Sequence, residues 1–147
     1  MRLSRFTDYS LRVLIYVAAA PEGRATVGEI ARAFRISEHH LVKVAHFLGR
    51  HGLLRNSRGR RGGLRLARAP AEINVGMVVR LTEAGTLPAE CFNEKTNTCV
   101  LAGGCGLQEV LNEAVRSFYG TLERRTLADL SVRPRKLQAL FELKRAA

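Results

Sequence analysis

A mainly α-helical fold, a winged helix-turn-helix with a small β-hairpin wing and a long C-terminal dimerisation helix, is predicted by three features of this 147-residue chain. Two short amphipathic segments flank a break at Arg35-Ile36-Ser37. Two alternating apolar stretches surround a basic, glycine-rich tip at residues 56–63. An apolar repeat at i, i+3, i+4, i+7 runs unbroken through Leu107, Val110, Leu111, Ala114, Val115, Phe118, Tyr119 and Leu122. The length suits one compact domain, which at this size buries roughly 70% of the unfolded chain's surface and leaves no room for a separate catalytic domain, so no enzyme activity is expected. The formal charge of +11, from 24 Lys and Arg against 13 Asp and Glu, points to a polyanionic partner.

The first helix is expected over residues 4–20. It is apolar on most of its girth through Phe6, Tyr9, Val13, Leu14, Tyr16 and Val17, with one polar stripe of Arg5, Asp8 and Arg12. Its best apolar run, residues 11–20, is too short to span a bilayer and contains Arg12, and Asp8 spoils a basic leader, so the chain reads as cytoplasmic with no membrane partner. Thr26 with Glu29 forms a capping box for a short helix whose buried face is Val27, Ile30, Ala31 and Phe34. Ser37 is the expected N-cap of the next helix, with Leu41, Val44, Ala45 and Leu48 facing inward and Gly52 as its stop. Leu53-Leu54-Arg55 and Leu64-Arg65-Leu66 read as the two strands of the wing.

Asn74 caps a helix expected to run to about residue 84, and Gly85 opens an irregular stretch reaching Gly106. The helix that follows spans some 20 residues, about 30 Å, and its stripe is expected to pack on a second copy as well as on its own core. Thr126 with Asp129 gives another capping signature, and residues 134–145 a last, basic helix. Three regions result: residues 1–84 for DNA binding, 85–106 as a cofactor-binding loop, and 107–147 for dimerisation and the C-terminal helix.

Double-stranded DNA is the polyanion this layout suits. Ser37 begins the second helix of the pair, and Glu38, His39, His40 and Lys43 occupy its N-terminal turns, from which such helices read bases. Arg50 and the wing residues Arg58, Arg60, Arg61, Gly62 and Gly63 suit phosphate and minor-groove contact, since glycine lets the backbone lie close to a duplex. The four histidines fall between positions 39 and 51 without the i, i+4 spacing of a helical zinc site.

Cys91, Cys99 and Cys105 share one Gly- and Asn-rich stretch with spacing Cys-x7-Cys-x5-Cys. An odd count argues against a closed disulfide framework, and the absence of Cys-x-x-Cys against a zinc knuckle or thioredoxin-type site. Thiolates among small residues suit soft metals and iron-sulfur clusters, although three leave a four-ligand sphere incomplete. Three unconnected thiols are the alternative.

Taken together, residues 1–12, the wing Arg58-Gly59-Arg60-Arg61-Gly62-Gly63, the three-cysteine loop and Thr126-Leu127-Ala128-Asp129-Leu130 resemble the NsrR repressors. These are nitric-oxide-sensing members of the IscR/NsrR superfamily of dimeric winged-helix regulators, and the resemblance covers nearly the whole chain. It implies an iron-sulfur cluster, 4Fe-4S before 2Fe-2S, on Cys91, Cys99 and Cys105. It also supplies a fourth ligand, Asp8, contributed by the other subunit. Arg12, one turn away, is expected to act as a switch partner that pairs with Asp8 when the cluster is lost. Nitrosylation would then release promoter DNA and derepress nitrosative-stress genes. An IscR-like sensor of cluster status is the nearest alternative, but where that group carries a ligating histidine this chain has Gln108. Regulation by thiol oxidation or zinc, and a redox protein with incidental DNA binding, are the remaining alternatives.

Overall fold

The computed structural model describes every residue except Met1, Arg2, Arg58, Arg60, Arg61, Thr86, Ala102 and Ala147, with residues 142–146 described by their backbone alone. Helix α1 (Arg5–Ala19) is the hub of the core. Val13, Leu14 and Val17 are fully buried, and the helix packs against α3, α4, α6, α7 and β2, the elements defined below. Ser4 caps it by accepting from the Thr7 N–H at 3.2 Å.

The helix-turn-helix consists of α2 (Val27–Phe34) and α3 (Glu38–Arg50). At the start of α2 the expected capping box is formed: Thr26 N–H donates to Glu29 at 2.7 Å and Glu29 N–H to Thr26 Oγ1 at 3.2 Å, an arrangement worth about 1 kcal/mol. Arg35 ends the helix in the left-handed region (φ 55°), which turns the chain sharply enough for Ile36 N–H to reach back to Ala31 O. Ser37 holds the N-cap position of α3 but its side chain makes no capping hydrogen bond, so only the position of that expected cap is right. At the other end Gly52 takes φ 66°, and Leu53 N–H closes back on Leu48 O at 2.9 Å.

That bond explains why the wing starts one residue later than its apolar pattern suggests. β1 (Leu54–Ser57) pairs antiparallel with β2 (Gly63–Leu66), Leu54 opposite Leu66 and Asn56 opposite Leu64. Leu54 and Leu64 face the core, and Asn56 donates its amide to Ala45 O on α3 at 3.2 Å. Ala25 and Leu64 also exchange two backbone hydrogen bonds, 3.1 and 2.7 Å. Gly63 (φ 148°) is required there because a Cβ would lie 2.9 Å from Ala25 O.

After a short 3-10 turn, α4 (Val75–Thr82) stops two residues before the expected end, with the Thr82 hydroxyl turned back on Val78 O and Gly85 at φ 89°. A single 3-10 turn, Glu90–Phe92, interrupts the stretch read as irregular. Helix α5 (Gly106–Glu123) has 18 residues, none of them buried. Its clean repeat therefore does not pack on the chain's own core as expected: Leu107 and Val110 are more than 60% exposed. Its C-terminal end is anchored to α4 and the turn before it, where Asn74 donates to Glu123 O, Val75 N–H to Arg125 O and Leu127 N–H to Ile73 O. Helices α6 (Leu127–Leu130) and α7 (Pro134–Ala146) then bring the chain home. Phe141 stacks on Tyr16 and edges against Phe34, and Gln138 donates to Ala19 O, so α7 packs on α1 and α2.

Gly76 sets the angle at which α5 leaves the body. A Cβ there would lie 2.7 Å from Glu123 N and 2.9 Å from its Cα, backbone atoms that cannot step aside. Gly76→Ala is expected to destabilise the fold by about 1–3 kcal/mol through this overpacking, read as a lower urea midpoint with unchanged slope. A wild-type midpoint would show that α5 is free to move.

Candidate functional site

Two surfaces carry chemistry. On α3 the residues opposite the buried Leu41, Val44, Ala45 and Leu48 are all exposed: Glu38, His39, His40, Lys43 and Arg50, with Ser37 just before them. The core pins one face of this helix, so the cationic and hydrogen-bonding groups are presented to solvent together, as insertion into a major groove requires. Gly62 and Gly63 lie at the inner margin of the wing tip, half-buried, while Arg58, Arg60 and Arg61 lie outside the described residues.

Arg24 escaped the sequence reading. Its Nη1 donates to Gly62 O at 2.8 Å, and with the Ala25–Leu64 bonds it fixes the wing against the turn before α2. Arg65, also missed, donates to Glu22 O at 2.7 Å. No periodicity marks either residue, because both reach carbonyls some 40 positions away in sequence. Removing the side chain in Arg24→Ala should weaken DNA binding about tenfold, roughly 1.4 kcal/mol, by loosening the wing before it docks. Unchanged affinity in a fluorescence-anisotropy titration would mean the strand bonds alone place it.

The second surface is the thiol segment between α4 and α5. Cys91 and Cys105 are half-buried, Cys99 is exposed, and all three are free thiols. They do not converge: among the described residues no three His, Cys, Asp or Glu side chains form a group that could hold a metal ion. Two clamps nevertheless tie the segment together. Glu90 accepts from the Thr98 hydroxyl at 2.6 Å and from its N–H at 2.7 Å, linking the residues that precede Cys91 and Cys99. Those bonds, the side-chain one first, hold the Glu90 carboxyl below the usual carboxylate range. Gln108 in the first turn of α5 donates to Cys91 O at 3.3 Å, and Cys105 is the N-cap residue of that helix. Cys105 thus stands at the positive end of an 18-residue helix. A Cβ at Gly103, Gly104 or Gly106 would meet nothing within 4 Å, so the segment has room to close on a guest.

Asp8 forms no metal-holding group with these thiols among the described residues of its own chain. Its carboxylate is gripped by Arg12, Nε to Oδ1 and Nη2 to Oδ2 both 2.9 Å, with each side chain just over two-fifths exposed. Exposed pairs of this kind contribute about 0.2–1 kcal/mol, weak enough for a competing partner to break. The Arg12 guanidinium also lies 5.6 Å from the Phe34 ring centroid at the end of α2.

A basic winged helix with an exposed read-out helix and a rooted thiol segment defines a class: the DNA-binding transcription regulators that carry a sensing element. Within that class the chain belongs to the Rrf2 family, whose model, described as an iron-dependent transcriptional regulator, matches residues 3–133. It is 47% identical over 145 residues to the HTH-type transcriptional regulator NsrR of Halalkalibacterium halodurans, covering 98% of this chain and 99% of that one. To the regulator of the same name from Bacillus subtilis it is 43% identical, with 98% and 99% covered. Among solved structures it is similar to CymR, the global cysteine regulator of B. subtilis, at TM-score 0.71 and 26% identity over 90% of this chain and 97% of that one. It matches T. potens IscR at TM-score 0.71 and 27% identity, with 88% and 85% covered. The chain is a DNA-binding regulator of transcription, in keeping with its +11 charge and the exposed face of α3. No helix among the described residues is long and apolar enough to cross a membrane.

Proposed function

We propose that this protein is a cytoplasmic, homodimeric repressor that holds an iron-sulfur cluster on Cys91, Cys99 and Cys105, with the partner subunit's Asp8 as fourth ligand, and lets go of promoter DNA when nitric oxide arrives. The observation that carries this reading is a three-thiol segment clamped at Glu90–Thr98 and Gln108–Cys91, in a chain 43–47% identical over nearly its whole length to regulators named NsrR. The donor set fits the group: three soft sulfurs in a roomy, glycine-lined segment at a helix N-terminus, and one hard oxygen. When bound, such a cluster supplies iron that nitric oxide attacks. A 4Fe-4S form suits three thiols and a carboxylate, with 2Fe-2S as the second choice.

Dimerisation follows from the uncovered apolar surface. Val100 and Leu101 beside the thiols and Leu107 and Val110 on α5 are all more than 60% exposed, a stripe that a second α5 would cover. A carboxylate from that second copy completes the set that one chain lacks.

The chain's own residues then connect Asp8 to the reading helix. Phe6 and Tyr9 flank it on α1. Phe6 meets Phe47 of α3 edge-on at 5.0 Å, and the Tyr9 ring lies 6.3 Å from His40. Arg12 waits one turn away to receive the Asp8 carboxylate once it is released from iron, and its contact with Phe34 carries the change to α2. A shift of α1's first turns therefore reaches both helices of the DNA-binding pair, altering the half-site spacing that a dimer presents.

The test is anaerobic purification with iron and sulfide analysis, followed by nitric oxide titration against promoter binding. A brown protein that loses DNA as nitric oxide is added is the expected result. A colourless protein binding the same DNA would leave thiol or zinc control in place. A brown protein indifferent to nitric oxide would favour the IscR-like reading that the likeness to T. potens IscR keeps open, although Gln108 here clamps Cys91 rather than offering an imidazole.

A further inference from the structure

Among the described residues Glu83 is the one charged side chain that is buried, 7% exposed. Its Oε1 accepts from the Ser4 backbone N–H at 2.7 Å and from the Thr7 hydroxyl at 2.5 Å. Thr7, itself fully buried, places Oγ1 2.8 Å from Thr82 Oγ1 and 3.0 Å from Ser4 Oγ. A carboxylate is thus set at the N-terminus of α1, where the helix dipole and unpaired N–H groups favour negative charge.

The two ends of this contact matter. Thr7 immediately precedes Asp8, whose own N–H closes the first turn on Ser4 O at 3.0 Å. Glu83 is the C-cap residue of α4, two positions before Gly85, where the thiol segment begins. One buried carboxylate therefore joins the Asp8-bearing turn to the root of the same chain's thiol segment.

We propose that Glu83 is the positioning residue for Asp8. It fixes the turn that presents the carboxylate and couples that turn to its own chain's thiol segment. The inference rests on the reading that Asp8 ligates the cluster. In a dimer that shares ligands across subunits, a chain's thiols and its Asp8 serve different clusters, so Glu83 also links the two sites.

Glu83→Ala leaves the Ser4 N–H and Thr7 hydroxyl without their acceptor, whereas Glu83→Gln keeps an acceptor oxygen of the same reach. Two measurements on the full-length protein test the claim. In the apo protein, amide hydrogen exchange of residues 4–8 should rise about tenfold in Glu83→Ala relative to the rest of α1 and return toward wild type in Glu83→Gln. Unchanged exchange overturns the clamp, whatever holds the iron. In the cluster-loaded dimer, chelator-driven iron release should quicken about tenfold in Glu83→Ala, as loss of a supporting partner does at other metal sites. The double variant with Asp8→Ala should release iron no faster than Asp8→Ala alone. Additive effects, or wild-type release from Glu83→Ala, overturn the role. Should Asp8→Ala itself release iron at the wild-type rate, the ligand assignment fails, and Glu83 as its positioning residue fails with it. Thr7→Val, which removes the hydroxyl while keeping the volume, gives the same readings if Glu83→Ala does not fold.

Discussion

Raising salt from about 50 to 200 mM is expected to lower affinity for promoter DNA by about three to five orders of magnitude, the loss that follows when a dimer neutralises six to ten phosphates and their counterions return. The expectation comes from an exposed cationic face on α3, Lys43 and Arg50 among it, continued by a wing whose inner margin Arg24 and the Ala25 strand bonds hold in place. Base contacts from Glu38, His39 and His40 add discrimination but little salt dependence. Arg50→Ala should weaken binding to matched and unmatched sequences alike and reduce the slope of log affinity against log salt by about one unit. Replacing His39 or His40 should instead lower the ratio of specific to non-specific binding. A slope shallower than about three units for the wild-type protein would mean that too few phosphates are engaged for α3 and the wing to be the interface.

Cys99→Ala should abolish iron retention while leaving the apo fold untouched. Cys99 is exposed and its side chain supports no packing, so its loss should move the unfolding free energy by no more than about 0.5 kcal/mol, the range of neutral surface changes. Bound iron should nonetheless fall to background, because a site already completed by a weak carboxylate cannot give up one of three thiolates. Visible absorbance after anaerobic reconstitution, beside a urea titration of the apo protein, reads both quantities at once. Full iron content in Cys99→Ala would remove this cysteine from the ligand set and with it the three-thiol reading. Cys91 and Cys105 give less clean tests, since both are half-buried and each sits next to a clamp or a helix start.

Much of the architecture was legible in local pattern. The Thr26–Glu29 and Thr126–Asp129 boxes, the Asn74 cap and the Gly52 stop all act where their residue types say they should, because a cap is satisfied within three or four residues of itself. The inward faces of α1 and α3 were equally plain, since a 3.6-residue period leaves one way to bury Val13, Leu14 and Val17 or Leu41, Val44 and Leu48. The same logic misled on α5. Its period is the cleanest in the chain, yet within one chain the helix has no fully buried residue, because periodicity shows that a face is apolar and not what covers it.

By itself, then, the sequence determined which segments are helical, which stretch carries three thiols, and which face of α3 is left to meet a polyanion. These depend on neighbours along the chain and on composition. Only the tertiary structure decided that Arg24 braces the wing across 38 positions, that Gly76 lets α5 cross α4, and that Glu83 holds the first turn of α1 from 76 positions away. Each of those contacts joins residues that no period or cap relates, and the packing of the core alone brings their polar atoms within hydrogen-bonding reach.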